Sequence, residues 1–315
     1  MRYREIYEAS LRDPEGFWME QAQGLAWMEP PQQALSQDEE GHQRWFRGGR
    51  LNIAHLALDA HVDAGRGEQH ALLYDSPVTG ERSAYTYREL RDAVAYAAGM
   101  LREQGVAHGD RVVIYMPMIP EAVIAMLACA RLGAIHSVVF GGFAAHELAV
   151  RIDDARPKVV ISAACGIEFN RVIPYQPLID EALQRADHDP GRVIYVPRPQ
   201  ASISWTSGRD IDWYEQIAQA APAGPVPVDA TDPLYILYTS GTTGKPKGVV
   251  RDSGGYAVAL NWSMGAIYDM HPGEVFWTAS DIGWIVGHSY IVYGPLLRGC
   301  TTVVYEGKPV RTPDA

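Results

Sequence analysis

The sequence is poor in cysteine and has neither a basic run nor a long apolar one. Its three cysteines, Cys129, Cys165 and Cys300, are odd in number and far apart. That spacing excludes a disulfide framework or a Cys-x-x-Cys metal site, and it suits a reducing cytosol with each thiol acting as a small buried hydrophobe. The longest helical apolar run, residues 122–130, is bounded by Glu121 and Arg131. It falls well short of the roughly 18 residues a membrane span requires. The first residues include Arg2, Arg4, Glu5 and Glu8 and hold no secretory apolar core. A cytoplasmic protein is the expectation. Asp and Glu total 38 against 27 Lys and Arg, for a net charge of -11. General nucleic-acid binding is therefore disfavoured, because a basic face is its usual footprint. A local cationic site for a small anion stays open. H-E-x-x-H, G-x-S-x-G and a strand-following G-x-G-x-x-G are all missing. His136, in an apolar strand, reads as a satisfied core histidine and not as a ligand.

What is there is apolar patterning on a sufficient length. Hydrophobic residues make up 47 % of 315, enough for one large domain or two ordinary ones. Residues 1–64 carry Phe17, Trp18, Trp27, Trp45 and Phe46 among proline and glycine breaks, and read as short packed helices. Asn52 is placed to cap a helix with Ile53, Leu56, Leu58 and Val62 on its apolar face. From Gln69 onward strands and helices alternate. Thr86 and Glu89 form a capping box for a helix running to about 103. Strands are expected at 71–74, 111–116, 136–140, 158–162, 192–196, 234–237, 274–279 and 301–305. Helices are expected at 121–131, 144–155, 212–220, 256–268 and 288–297. Apolar strands in this βα order predict a parallel sheet covered by helices.

One stretch carries most of the chemistry. Residues 238–248 read YTSGTTGKPKG: three glycines (Gly241, Gly244, Gly248), four hydroxyls (Thr239, Ser240, Thr242, Thr243) and two lysines (Lys245, Lys247). Glycines let the backbone approach a ligand closely. Hydroxyls, backbone N–H groups and ammonium charges suit a polyphosphate, although Lys247 reads equally well as a solvated surface charge. A Walker A loop is excluded, since only Thr242 and Thr243 separate Gly241 from Gly244 and Pro246 follows Lys245. A second stretch, residues 280–290, reads SDIGWIVGHSY. There Trp284, Ile285, Val286, Gly287 and His288 combine an apolar wall with one titratable group; the alternative is a core strand-to-helix turn.

The first stretch resembles the phosphate-binding signature of the adenylate-forming, or AMP-binding, superfamily, and it fits at each of its eleven positions. The fold implied is the parallel α/β N-terminal part of the adenylate-forming enzyme fold, preceded by a small helical extension. The segments DPEGFW (13–18) and WFRGGRLN (45–52) look like the N-terminal extension of acetyl- and propionyl-CoA synthetases, with Leu56 and Ala60 standing where Asn and Arg are usual. The resemblance implies that ATP with Mg2+ is held by Thr239, Ser240, Gly241, Thr242, Thr243, Gly244, Lys245 and Lys247, and that coenzyme A is a co-substrate. By position it makes Trp284 to His288 the acyl pocket, with Val286 where acetate enzymes carry Thr. Residues 251–258 (RDSGGYAV) resemble propionyl-CoA synthetases, whose acetate counterparts tend to His-Thr near Arg251 and Asp252. Together these favour propionate over acetate. The loop Glu168, Phe169, Asn170 and Arg171, after the FGGF unit (140–143), would hold the CoA phosphate; Arg171 is its one cation and Glu168 replaces an arginine.

In relatives the ribose-binding aspartate, the adenine pocket, the hinge and the lid lysine come later than any segment here. The expected organisation is thus an N-terminal extension (1–64) and an AMP-binding domain (65–315) lacking its lid, with no catalytic residue of its own, no metal ligand, and no activity alone. Expected partners are a short-chain carboxylate, ATP and CoA, with neither nucleic acid nor membrane. The alternative function is a non-catalytic nucleotide-binding or interaction module.

Overall fold

The computed structural model describes residues 3–239 and 246–308. A seven-stranded sheet runs in the spatial order Asp210–Asp212, Val193–Val196, Val159–Ala163, Arg111–Tyr115, Ile135–Val138, Pro233–Thr239, Lys247–Asp252. All its pairings are parallel except the last. Alternate side chains of each strand point to opposite faces. Val112 and Ile114 enter the larger core, while Val113 and Tyr115 enter a second one under the helices Ala145–Ala155 and Gln176–Arg185.

The helix Pro120–Leu132 is buried at every residue but Glu121. A helix apolar all round must be enclosed on all sides. It packs against the main sheet and the helix Tyr87–Glu103. Thr86 and Glu89 close the predicted capping box on the latter helix, and Gly133, at φ 70°, ends the former. A four-stranded sheet adjoins this layer in the order Val275–Phe276, Thr301–Tyr305, His70–Ser76, Glu81–Thr86, antiparallel only in its last pair.

The extension is more than helical. After the helices Tyr3–Arg12 and Pro14–Ala22 comes a small hairpin, Leu35–Gln37 with Gln43–Trp45. Trp18 meets Trp262 edge-on at 5.5 Å and Trp45 at 6.1 Å. The strand Arg50–Leu51 pairs with Val228–Asp229 far along the chain. Asn52 accepts from His55 N–H as expected of a cap, but the turns beyond it are π-helical. Its amide nitrogen also donates to the carbonyls of Ala130, Arg131 and Val226. Among the described residues no helix is long and apolar enough to cross a membrane. All three cysteines are buried and free.

Several expected elements differ in extent. The strand placed at 274–279 is only Val275–Phe276, and the helix placed from 288 begins at Ile285 and passes through a π-helical turn, His288–Tyr293. The hairpin Cys165–Glu168 with Arg171–Pro174, and the strands Glu81–Thr86 and Lys247–Asp252, lie where no strand is expected from sequence.

Candidate active-site cleft

In an open parallel sheet, ligands bind in the crevice beyond the carboxyl ends of the strands. Here that edge carries Met116 to Met118 after Arg111–Tyr115, Phe140 to Gly142 after Ile135–Val138, and the hairpin tip at Glu168 and Phe169. The facing wall comes from residues 277–281 and 305–308. Between them lie two adjoining cavities of about 240 and 300 Å³, which share Met118, Phe140, Asp281, Gly307 and Lys308.

The strand Pro233–Thr239 runs parallel to Ile135–Val138, with Tyr235 level with His136. Thr239 therefore emerges at the same edge as Phe140. It is opposite Lys247 in the antiparallel pairing that closes the stem, and both residues are exposed. Ser240, Gly241, Thr242, Thr243, Gly244 and Lys245 lie outside the described residues. Below the stem the Tyr238 hydroxyl donates to Asp154 Oδ2 at 2.6 Å, and the Arg151 guanidinium lies over the Tyr238 ring.

The stretch expected to form the acyl pocket divides in two. Trp284, Ile285 and Val286 expose 48 %, 45 % and 47 % of their surface. Trp284 packs on Phe140 and Phe143, at 5.7 and 6.2 Å between ring centres, so this stretch and the FGGF unit form one aromatic wall. Ile285 instead lines a separate cavity of about 460 Å³ with Trp45, Arg251, Asp252 and Tyr256. Gly287 and His288 are internal. His288 is fully buried among Tyr235, at 4.8 Å, and His136, at 5.3 Å; among the described residues neither ring nitrogen meets a partner in good hydrogen-bond geometry, although the backbone at Ile282 and Trp284 lies close enough to favour the protonated ring slightly. Burial lowers its pKa to about 4. His136 donates or accepts at Nε2 with the Tyr293 hydroxyl, at 2.6 Å, but among the described residues its Nδ1 has no partner.

Glu168, Phe169, Asn170 and Arg171 form the exposed tip of the hairpin, with Phe169 at φ 58°. Lys308 reaches across from the other wall, pairing with Glu168 and lying over the Phe169 ring at 4.7 Å. The bond to Lys308 holds the Glu168 carboxyl below its usual range. Gly141 and Gly166 make room for a protein group: a Cβ at either would come within 2.3 Å of the Tyr175 hydroxyl.

Asp281, Glu306, Lys308 and Tyr175 line the cleft and were not assigned from sequence. Asp281 is in the quoted motif, but its direction is set by the turn that follows. Gly283 N–H donates to Asp281 Oδ1 at 2.7 Å, and Trp284 N–H donates to the Asp281 carbonyl at 3.1 Å. Burial lifts the Asp281 carboxyl to about 6.

A parallel sheet whose carboxyl edge bears a glycine-, hydroxyl- and lysine-rich connection, beside an aromatic cleft, defines the class. The chain belongs to the AMP-binding enzyme family, whose model matches residues 59–315, and the acetyl-coenzyme A synthetase N-terminus model matches residues 3–57. Among curated relatives it is 54 % identical to the mitochondrial acyl-CoA synthetase short-chain family member 3 of Mus musculus, over 99 % of this chain and 46 % of that protein. It is 50 % identical to the propionate–CoA ligase of Salmonella typhimurium, over 98 % of this chain and 49 % of that protein. Among solved structures, acetoacetyl-CoA synthetase from Streptomyces lividans superimposes with a TM-score of 0.87 at 30 % identity, covering 98 % of this chain and 47 % of that one. The chain thus spans about half the length of the relatives it matches.

Proposed function

We propose that this chain forms part of a short-chain acyl-CoA synthetase acting on propionate, with acetate as a secondary substrate. The carboxylate attacks the α-phosphate of ATP, releasing diphosphate and leaving an acyl-adenylate; the CoA thiol then displaces AMP. In this reading the connection from Thr239 to Lys247 holds the triphosphate. Phosphoryl-type substitution depends mainly on positioning and charge stabilisation, so such a loop needs no nucleophile. Mg2+ would enter with the triphosphate, supplying positive charge to its oxygens. Among the described residues no cluster of three or more His, Cys, Asp or Glu could hold a metal by itself. The exposed side chains of Trp284 and Val286 would contact the alkyl group, and the hairpin tip 168–171 the CoA phosphate.

The observation that carries the reading is the identity of half the residues to a propionate–CoA ligase across nearly the whole chain, with the phosphate motif intact. Titration of ATP with Mg2+ into this chain tests the first part. Replacing Lys245 with Ala removes one charge-assisted contact and should weaken binding by about ten- to a hundredfold; equal affinities would sink the assignment. A carboxylate panel on the longest polypeptide the gene encodes, read by CoA-dependent AMP release, tests the second. One methylene is worth only about 1–3 kcal/mol, so turnover of both acids is expected. A tenfold or greater preference for acetate would overturn the substrate choice.

A further inference from the structure

We propose that Asp281 is the general base that takes the proton from the thiol co-substrate as it attacks the acyl-adenylate. The inference rests on the acyl-CoA synthetase reading and adds a catalytic residue to it.

Placement is the first argument. Asp281 lies where the two cavities of the cleft meet and lines both. One cavity leads to the hairpin tip at Glu168, and the other runs along residues 277–280. Trp284, three residues on, packs against Phe140 of the facing edge. A thiol entering from the hairpin side and an acyl group held by the Trp284 wall would meet beside this carboxylate.

Its orientation is fixed. Gly283 N–H holds Oδ1 at 2.7 Å, which sets the rotation of the carboxylate and leaves Oδ2 to accept a proton. The turn behind it is closely packed: a Cβ at Gly287 would lie 1.9 Å from the Asp281 carbonyl oxygen. Among the described residues, the other charged or titratable groups lining the two cavities are Tyr175, Glu168, Tyr305, Glu306 and Lys308. Glu168 is engaged by Lys308 and Glu306 by Arg198, and burial raises the Tyr175 hydroxyl far above neutrality. Asp281 is the carboxylate on this wall whose burial brings it close to neutral pH, at about 6.

The chemistry calls for such a group. A thiol with an ordinary pKa near 8.5 is only a few per cent thiolate at pH 7, and a base titrating near the working pH is the most effective acceptor. In the step itself the thiol sulfur forms a bond to the acyl carbon and the S–H proton passes to Asp281 Oδ2. The carbon–oxygen bond to the adenylate phosphate then breaks and AMP departs with that electron pair. The proton later returns to water, and no oxidant or reductant takes part.

The test supplies propionyl-adenylate and CoA to the longest polypeptide the gene encodes and follows single-turnover thioester formation between pH 5 and 8. Adenylate formation is measured separately by ATP–diphosphate exchange. Asp281→Asn should slow the thioester step by about a hundredfold or more, at least tenfold more than it slows exchange, and abolish the rise in rate near pH 6. Asp281→Glu should restore part of the rate together with a shifted limb. A variant within threefold of wild type in the thioester step, or one that keeps the limb, overturns the proposal. Wild-type protein that makes no thioester from supplied adenylate overturns the acyl-CoA synthetase reading first and this proposal with it. Exchange without a pH limb in wild-type thioester formation overturns the base alone. The 315-residue chain gives a reading independent of turnover: the Asp281 carboxyl carbon, followed by NMR, should titrate near pH 6, and a midpoint near 4 would also overturn the proposal.

Discussion

Gly287 sits where no side chain fits. A Cβ there would lie 1.9 Å from the Asp281 carbonyl oxygen and 2.3 Å from its carbon, both backbone atoms that cannot swing aside. Its neighbours Trp284, Ile285 and Val286 point outward and half exposed. One quoted run of five residues therefore holds two kinds of position: three that offer surface and two that hold the turn. Gly287→Ala should destabilise the protein by about 1–3 kcal/mol, the usual range for overpacking. Val286→Ala, on the exposed side, should change stability by less than about 0.5 kcal/mol. Urea unfolding followed by tryptophan fluorescence checks both, and equal effects at the two positions would refute the division. Residue type alone could not separate these roles, since an apolar residue in a pocket and one in a core look the same in a sequence.

Across elements, a buried node of rings joins the strand Pro233–Thr239 with the turn that carries Trp284. Tyr235 comes from Pro233–Thr239, His136 from Ile135–Val138, and His288 and Tyr293 from the π-helical turn His288–Tyr293. Desolvation keeps both histidines neutral, His288 down to about 4 and His136 well below its ordinary value. An unfolded histidine titrates near 6.5. As pH falls from 6.5 toward 4, the unfolded chain gains protons that the folded node refuses, so stability is lost across that window, by about 1.4 kcal/mol per pH unit for each histidine. Asp281 acts in the opposite sense. Its folded pKa is raised, so it contributes stability that is full below about 4 and lost as pH rises through 6. It offsets about one histidine over the shared range, while His61, buried and also lowered to about 4, adds a further loss. Net stability should therefore still fall on acidification, and His288→Phe should flatten the slope by about 1.4 kcal/mol per pH unit; an unchanged slope in urea midpoints would count against the node.

Where local chemistry decides an element, it was legible in advance. The helix Tyr87–Glu103 announces itself by Thr86 and Glu89, and Pro120–Leu132 by its apolar run and Gly133. The strand Lys247–Asp252 does not: its residues are largely exposed, and it forms because the strand Pro233–Thr239 offers it an edge. The hairpin Cys165–Glu168 with Arg171–Pro174 turns through Phe169 at positive φ, a conformation that a phenylalanine does not advertise. The division of the strands between two sheets is likewise set by helices packed between them, which no single segment encodes.

At the scale of the whole molecule, the two sheets are fastened by a contact between residues far apart in the chain. Arg198 follows the strand Val193–Val196, and Glu306 follows Thr301–Tyr305. Their side chains are almost wholly buried and meet through two bonds, Nη1 to Oε1 at 2.7 Å and Nη2 to Oε2 at 2.9 Å. Tyr74 and Ser76, from the smaller sheet, donate to Glu306 Oε2, and Arg198 Nη1 donates to the Cys165 carbonyl of the larger-sheet side. Glu306 also lines the cleft, so the same pair holds the two cleft walls in register. From sequence, Arg198 lies in a polar, broken stretch and Glu306 just past a strand, and neither has a local signal. Removing one partner of such a pair strands a buried charge, which costs about 3–5 kcal/mol. Arg198→Met should show that loss in chemical denaturation. Adding Glu306→Gln, an uncharged group that still accepts from Tyr74 and Ser76, should recover much of it, because the stranded charge is gone. The double-mutant cycle isolates that coupling. Losses that simply add, or an Arg198→Met cost below about 1 kcal/mol, would mean that the sheets are held by their apolar core alone and that the ion pair is incidental to the shape of the cleft.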